Sequence, residues 1–232
     1  MTIILSSIVL ILSLGLLFLP KTLTKKLIYV LSLYLFIYKA VEYTLYGLNL
    51  DISKIPVEYS TITYFLLSIT VIFQIVKLKP LAAFMGFISG LGYVIAFMFL
   101  GTSYYAHNGL FITNMALINH SIVFLVGLLL MRDERFHLLD KKKILLFTTI
   151  YIIYVLLVSR FVTFTQSYIF ILMLLGGDLL HMLIPSTYPS SYDYLMYFLA
   201  LLLLYQVVIH LFIGINHMLN RIKQGEIHEH SV

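Results

Sequence analysis

Residues 109–131 read GLFITNMALINHSIVFLVGLLLM, an uncharged run long enough to cross a bilayer, which takes about 20 apolar residues. Inside it, about nine residues in from Phe111, is His120. An ionisable side chain at that depth is costly in hydrocarbon, so it points by default to a working site. The bland alternative is a neutral imidazole hydrogen-bonded to a neighbouring helix, and the residue alone leaves both readings open.

The rest of the chain has the same character. Of 232 residues, 61% are hydrophobic and 11% are charged, the composition of an integral membrane protein. The absence of cysteine excludes disulfides, thiolate catalysis and thiolate-held metals. Tyrosine (18) and phenylalanine (17) can supply the interfacial aromatic belt in a chain without tryptophan. The net charge of +5 comes from short basic loops beside apolar runs. It therefore reports topology, and no nucleic acid partner is expected.

Apolar spans are expected at 3–19, 27–48, 57–76, 81–100, 111–131, 144–158 and 192–215. A further apolar stretch, 161–184, is broken by Gly176, Gly177, Asp178 and His181. The first run lacks a basic leader and a small-residue cleavage site, so it reads as a retained span. Lys21, Lys25 and Lys26 follow the first span, Lys77 and Lys79 the third, and Arg132, Arg135 and Lys141–Lys143 the fifth. Arg221 and Lys223 lie in the tail. This alternation places the N-terminus outside and the C-terminus in the cytoplasm, which requires an odd number of crossings. The expected fold is all-α and polytopic, with about seven transmembrane helices and 161–184 re-entrant or interfacial. It forms one transmembrane domain over 1–219, a polar cytoplasmic tail over 220–232 and a multi-pass location in a bacterial plasma membrane. His228 and His230 on that tail read as solvated residues.

The candidate site is built from polar groups inside the spans. Lys39 and Glu42, three residues apart, share a helix face and can pair there. Their sharper reading makes Glu42 the carboxylate that orients a catalytic histidine. Ser60 lies near the outer end of the third span, one turn beyond Pro56, and a proline suits a helix start. Unpaired N–H groups and the positive dipole end there would favour a developing oxyanion. At about 1.5 Å per residue, Ser60 lies roughly 6 Å deep and His120 roughly 13 Å deep. That offset strains a direct Ser–His pair, and a membrane serine is usually bonded back to its own turn.

Ile55-Pro56-Val57-Glu58-Tyr59-Ser60 resembles the Leu-Pro-Leu-His-Leu-Cys type signature of YwaF-type integral membrane proteins. That family's eukaryotic relatives include a multi-pass phospholipid acyltransferase. Phe87-Ile88-Ser89-Gly90-Leu91-Gly92 is similar to the glycine-bearing span that follows in the family, and Asn119-His120-Ser121 to its histidine-bearing span. The resemblance covers roughly residues 27–160. Androgen-regulated membrane hydrolases of fatty-acid esters, a more distant group, share an Asn-His pair in a span. The resemblance implies acyl chemistry with the nucleophile at Ser60 and the base at His120, oriented by Glu42 or Asn119. Here serine replaces the family's cysteine and Glu58 stands where histidine is common. Serine is competent only beside a base; Thr61 and Thr63 are alternatives on the same turn.

The expected function is therefore a membrane-embedded lipid acyl hydrolase or acyltransferase with a Ser60–His120 dyad and membrane lipids as partners. Ceramidase-type hydrolases instead hold zinc through three histidines. Gln206, His210, Asn216 and His217 decorate the last span, with Asp178 and His181 before it. His210 and His217 are two turns apart, about 10 Å, too far for one mononuclear site. No metal and no cofactor are expected. The non-catalytic alternative is a small transporter, a lipid-binding scaffold or a subunit with partner membrane proteins. Broken helices line many transporter sites, though the two halves show no inverted repeat.

Overall fold

The computed structural model describes residues 1–162 and 190–229. The broken stretch expected within 161–184, with Gly176, Gly177, Asp178 and His181, falls outside the described residues from 163 onward. So do His230 and the side chain of His228. All long elements are helical: α1 (Thr2–Gly15), α2 (Lys21–Leu48), α3 (Tyr59–Ile72), α4 (Lys79–Asp133), α5 (Leu138–Phe161) and α6 (Ser191–Glu229). Four apolar segments are long enough to cross a membrane: Lys21–Leu48, Val76–Asp133, Leu139–Phe161 and Ser191–Asn220. Two shorter apolar helices cover Thr2–Phe18 and Tyr59–Ile72. Together with the composition, these mark an α-helical membrane protein. Helix α6 continues to Glu229, so the polar tail begins as an extension of that helix.

Contacts gather into two compact units, one of Met1–Asp51 with Tyr59–Asp140, the other of Ile52–Glu58 with Lys141–Val232. In the first, helix α1 turns small polar residues inward and apolar ones outward. Helix α1 buries Ser6 and Ser13 while Ile3, Ile4, Ile8 and Leu12 face outward. Ser6 Oγ donates to the Val94 carbonyl at 3.0 Å and Thr2 Oγ1 to that of Met98 at 3.3 Å. Small hydroxyl side chains let helices approach closely where lipid provides no hydrophobic drive. Helix α2 buries Thr24, Ile28, Ser32 and Leu35, one stripe at helical spacing.

Helix α4 is one helix by hydrogen bonding and two rods by geometry. Gly109 interrupts it with φ +76° and ψ 172°, a region that glycine enters without steric cost. The limbs, 79–108 and 110–133, fold back on each other. A Cβ on Gly90 would lie 2.3 Å from the Phe124 nitrogen, and one on Gly127 2.3 Å from that of Phe87. The two backbones therefore touch, which glycine alone permits. Near the turn, Thr113 Oγ1 donates to the Tyr104 carbonyl at 3.0 Å, and Tyr105 Oη donates to Asn114 at 2.7 Å. At the far end Lys79 and Glu134 form an ion pair at 3.0 Å. The expected spans 81–100 and 111–131 correspond to these limbs.

Arg132 fastens that same end to α1 and α2. Its guanidinium donates to the carbonyls of Leu17 (2.6 Å) and Leu19 (3.2 Å) and to Thr24 Oγ1 (2.8 Å). It thereby satisfies carbonyls that the end of α1 leaves without helical partners. Lys21, Lys25, Lys79 and Arg132 are consequently collected at one end of the unit, with Gly109 at the other. Helices α2 and α3 both stop on a residue in the left-handed region, Leu50 (φ 52°) and Gln74 (φ 52°). Asp51 N–H reaches the Tyr46 carbonyl and Ile75 N–H that of Thr70, the paired closure of a Schellman motif, which usually employs glycine.

In the second unit, Tyr151 Oη donates to the Val57 carbonyl at 2.7 Å and Tyr154 Oη to that of Pro56 at 3.0 Å. Pro56 therefore does not start the helix as its sequence suggested. Two tyrosines of α5 take the carbonyls of Pro56 and Val57, and α3 begins at Tyr59.

Candidate functional site

The α4 hairpin decides what His120 meets. Its glycine contacts set the register that brings Tyr93 of the first limb against His120 of the second. The two rings stack at 3.9 Å between centroids with planes 2° apart. Tyr93 also stacks on Tyr104 at 5.8 Å. Tyr64 from α3 presents its ring to His120 at 5.5 Å and 61°. His120 is 9% exposed, and its Nδ1 is buried without a hydrogen-bond partner. Such an atom is uncommon in a folded protein and calls for a reason, a ligand among them.

Asn119 lies beside it, also buried, with Oδ1 unpartnered. Its side chain engages the Tyr38 hydroxyl of α2. From the next residue of α2, Lys39 reaches over the Tyr64 ring, 4.7 Å from the centroid, and lies 5.5 Å from that of Tyr38. Lys39 is ion-paired with Glu42. Lys39 and His120 thus touch the same ring. The result is a polar cluster walled by Tyr38, Tyr64, Tyr93 and Tyr104.

Of the residues singled out from the sequence, Glu42, Asn119 and His120 converge on this cluster. The Glu42 carboxylate is paired with Lys39, and no hydrogen bond joins it to His120. Ser60 is the second residue of α3 and half-buried. It sits one turn before Tyr64 on the same helix face, about 6 Å further along the axis. No hydrogen bond joins Ser60 to His120. Thr61 and Thr63 are buried, and Thr63 Oγ1 is bonded back to the Tyr59 carbonyl at 2.7 Å.

Tyr38, Tyr64 and Tyr93 were not anticipated. Tyr64 follows Ser60 by four residues, a spacing that could have drawn attention to it. Tyr93 had no such signal, because only the hairpin register brings it to His120. In the second unit, His210 Nδ1 donates to the Gln206 carbonyl at 2.7 Å, Asn216 is buried and His217 is exposed. Among the described residues no three His, Asp or Glu side chains converge as metal ligands.

Compared with known proteins, the chain matches no protein family, no curated protein and no solved structure.

Proposed function

We propose that this chain is a multi-pass membrane protein performing acyl chemistry on a lipid ester, with Ser60 as nucleophile and His120 as general base. The observation that carries this reading is the buried, unpartnered Nδ1 of His120 beside the unpartnered Oδ1 of Asn119, with Ser60 one turn before Tyr64, whose ring meets His120. The seven crossings are α1, α2, α3, both limbs of α4, α5 and α6. Positive-inside orientation assigns the Lys79–Arg132 end to the cytoplasm, which leaves the tyrosine-walled cluster in the outer half of the bilayer. The resemblance to YwaF-type proteins supports the same pairing.

In the reaction, the Ser60 oxygen adds to the ester carbonyl while its proton passes to His120 through one bridging water, since no hydrogen bond joins the two side chains directly. Collapse of the tetrahedral adduct breaks the bond to the lipid alcohol, which takes the proton from His120. Water or a second lipid alcohol then removes the acyl group from Ser60 with His120 again as base. The Tyr93 and Tyr64 rings orient the imidazole. N–H groups of the first turn of α3 face the developing oxyanion.

The second reading is a non-catalytic lipid-binding protein. It is favoured by the Tyr93 ring stacked on His120 and by the missing Ser60–His120 bond. Labelling with a serine-directed fluorophosphonate separates the two. The acyl-chemistry reading expects labelling of the wild type that is lost in both Ser60→Ala and His120→Ala while both remain folded. Labelling that survives both substitutions, or a wild type inert to probe and to lipid esters alike, sinks it.

A further inference from the structure

The cluster around His120 is balanced in charge and unbalanced in hydrogen bonding. Lys39 is ion-paired with Glu42, and Tyr46, one turn further along α2, also bonds to that carboxylate. The pair therefore leaves no net charge to hold an ionic headgroup. Asn119 and His120 instead each keep a buried polar atom without a partner, Oδ1 and Nδ1. Asn119 meets the Tyr38 hydroxyl. Because its Oδ1 is unpartnered, that contact is made by Nδ2, which can only donate. The spare capacity of Asn119 is thus that of an acceptor. The imidazole, acting as a base, is neutral and offers Nδ1 as an acceptor too. Buried acceptors without donors are costly, and a ligand bringing O–H or N–H groups satisfies them.

Charge narrows the choice of donor. A phosphodiester is an anion that only accepts, and it would set its oxygens against Oδ1 and Nδ1. An ammonium headgroup would come beside Lys39, whose Nζ lies 4.7 Å from the centroid of the Tyr64 ring that His120 also touches. An uncharged hydroxyl meets neither conflict. Asn119 and His120 are consecutive and both buried, with Cα atoms about 3.8 Å apart, the scale of one glycerol unit. Access suits a lipid. Tyr38 is half-buried, and Ile37 and Val41 near it on α2 face outward. A ligand entering sideways from the bilayer reaches Asn119 by displacing the Tyr38 hydroxyl.

We propose that the lipid ester taken at this site is a partial glyceride, with a free hydroxyl of its glycerol donating to Asn119 Oδ1 and its ester oxygen beside His120. Asn119 is then the residue that selects an uncharged, hydroxyl-bearing head over a phosphate ester. The placement of the ester rests on the acyl-chemistry reading, whereas the hydroxyl contact needs Asn119 alone.

The test is native mass spectrometry of the detergent-purified full chain with uncleavable lipids: hexadecyl glycerol ether, the same lipid with both hydroxyls methylated, and hexadecyl phosphate. Wild type is expected to retain the diol about tenfold better than its methylated form, the effect of one buried acceptor left without a donor. Asn119→Leu, which removes that acceptor, should bring the two within about twofold. Equal retention of diol and methylated lipid by the wild type overturns the proposal, and so does a preference that survives Asn119→Leu. Stronger retention of hexadecyl phosphate also overturns it and marks Lys39 as an anion site. The wild-type comparison decides even if Asn119→Leu fails to fold. Fluorophosphonate labelling of Ser60 runs alongside. Labelling without a diol preference sinks the glyceride and leaves acyl chemistry standing. A diol preference in a chain inert to the probe sinks the acyl chemistry and supports the hydroxyl site.

Discussion

Alanine at Gly90 should do far more damage than alanine at Gly92, two residues away on the same limb. At Gly90 the new methyl would lie 2.3 Å from the Phe124 nitrogen, 2.5 Å from its Cα and 2.6 Å from its Cβ. Carbon contacts are favourable only near 3.5–4.0 Å, so the limbs must part by about 1 Å. The obstacle is mostly backbone, which cannot rotate away as a side-chain tip can. The cost should sit at or above the upper end of overpacking, about 3 kcal/mol. At Gly92 nothing lies within 4 Å, and alanine should gain up to about 1 kcal/mol from helix propensity. Reversible unfolding in mixed detergent and dodecyl sulfate, followed by circular dichroism, measures both. Gly90→Ala should also disturb Tyr93, one turn further on, and with it the stack on His120. If the two variants agree within about 0.5 kcal/mol, the close-packed hairpin is refuted.

Three further outcomes are expected in the same assay. Arg132→Met removes the donors to Leu17, Leu19 and Thr24 and should cost about 3 kcal/mol, given charged hydrogen bonds; Arg132→Lys should recover only part, since an ammonium lacks the planar fork. Gln74→Gly should stabilise by about 1 kcal/mol, because it relieves a side chain in the left-handed region at the end of α3; a loss would refute that conformation. Glu42→Gln leaves Lys39 without its counter-ion and should cost about 3 kcal/mol, more than the double variant Lys39→Met/Glu42→Gln. Equal costs would show that the pair is effectively solvated.

The resemblance and the depth argument pick out His120, Asn119, Glu42 and Ser60, and the first three of these do share one cluster. Their relations differ from the simplest expectation. Glu42 is held by Lys39, its neighbour on α2, and Ser60 stands a turn before Tyr64, with no hydrogen bond to the imidazole. Pro56 and Val57, read as the start of a helix, are taken by the Tyr154 and Tyr151 hydroxyls. A distant donor competed successfully for carbonyls that local rules assign to a helix.

Sequence alone determined the solvent this chain is built for and the rough extent of its helices. Uncharged runs of bilayer length and basic loops are local properties, set by transfer energy and the need to satisfy every backbone group. It also determined that His120 is costly. Tertiary structure decided the hairpin at Gly109, the glycine contacts that fix its register and hence the Tyr93 ring on His120. Those depend on how closely two backbones can approach, a quantity that belongs to pairs of segments and that no single span contains. The Arg132 clasp and the contact of Asn119 with Tyr38 are of the same kind. Each joins residues that only folding brings together.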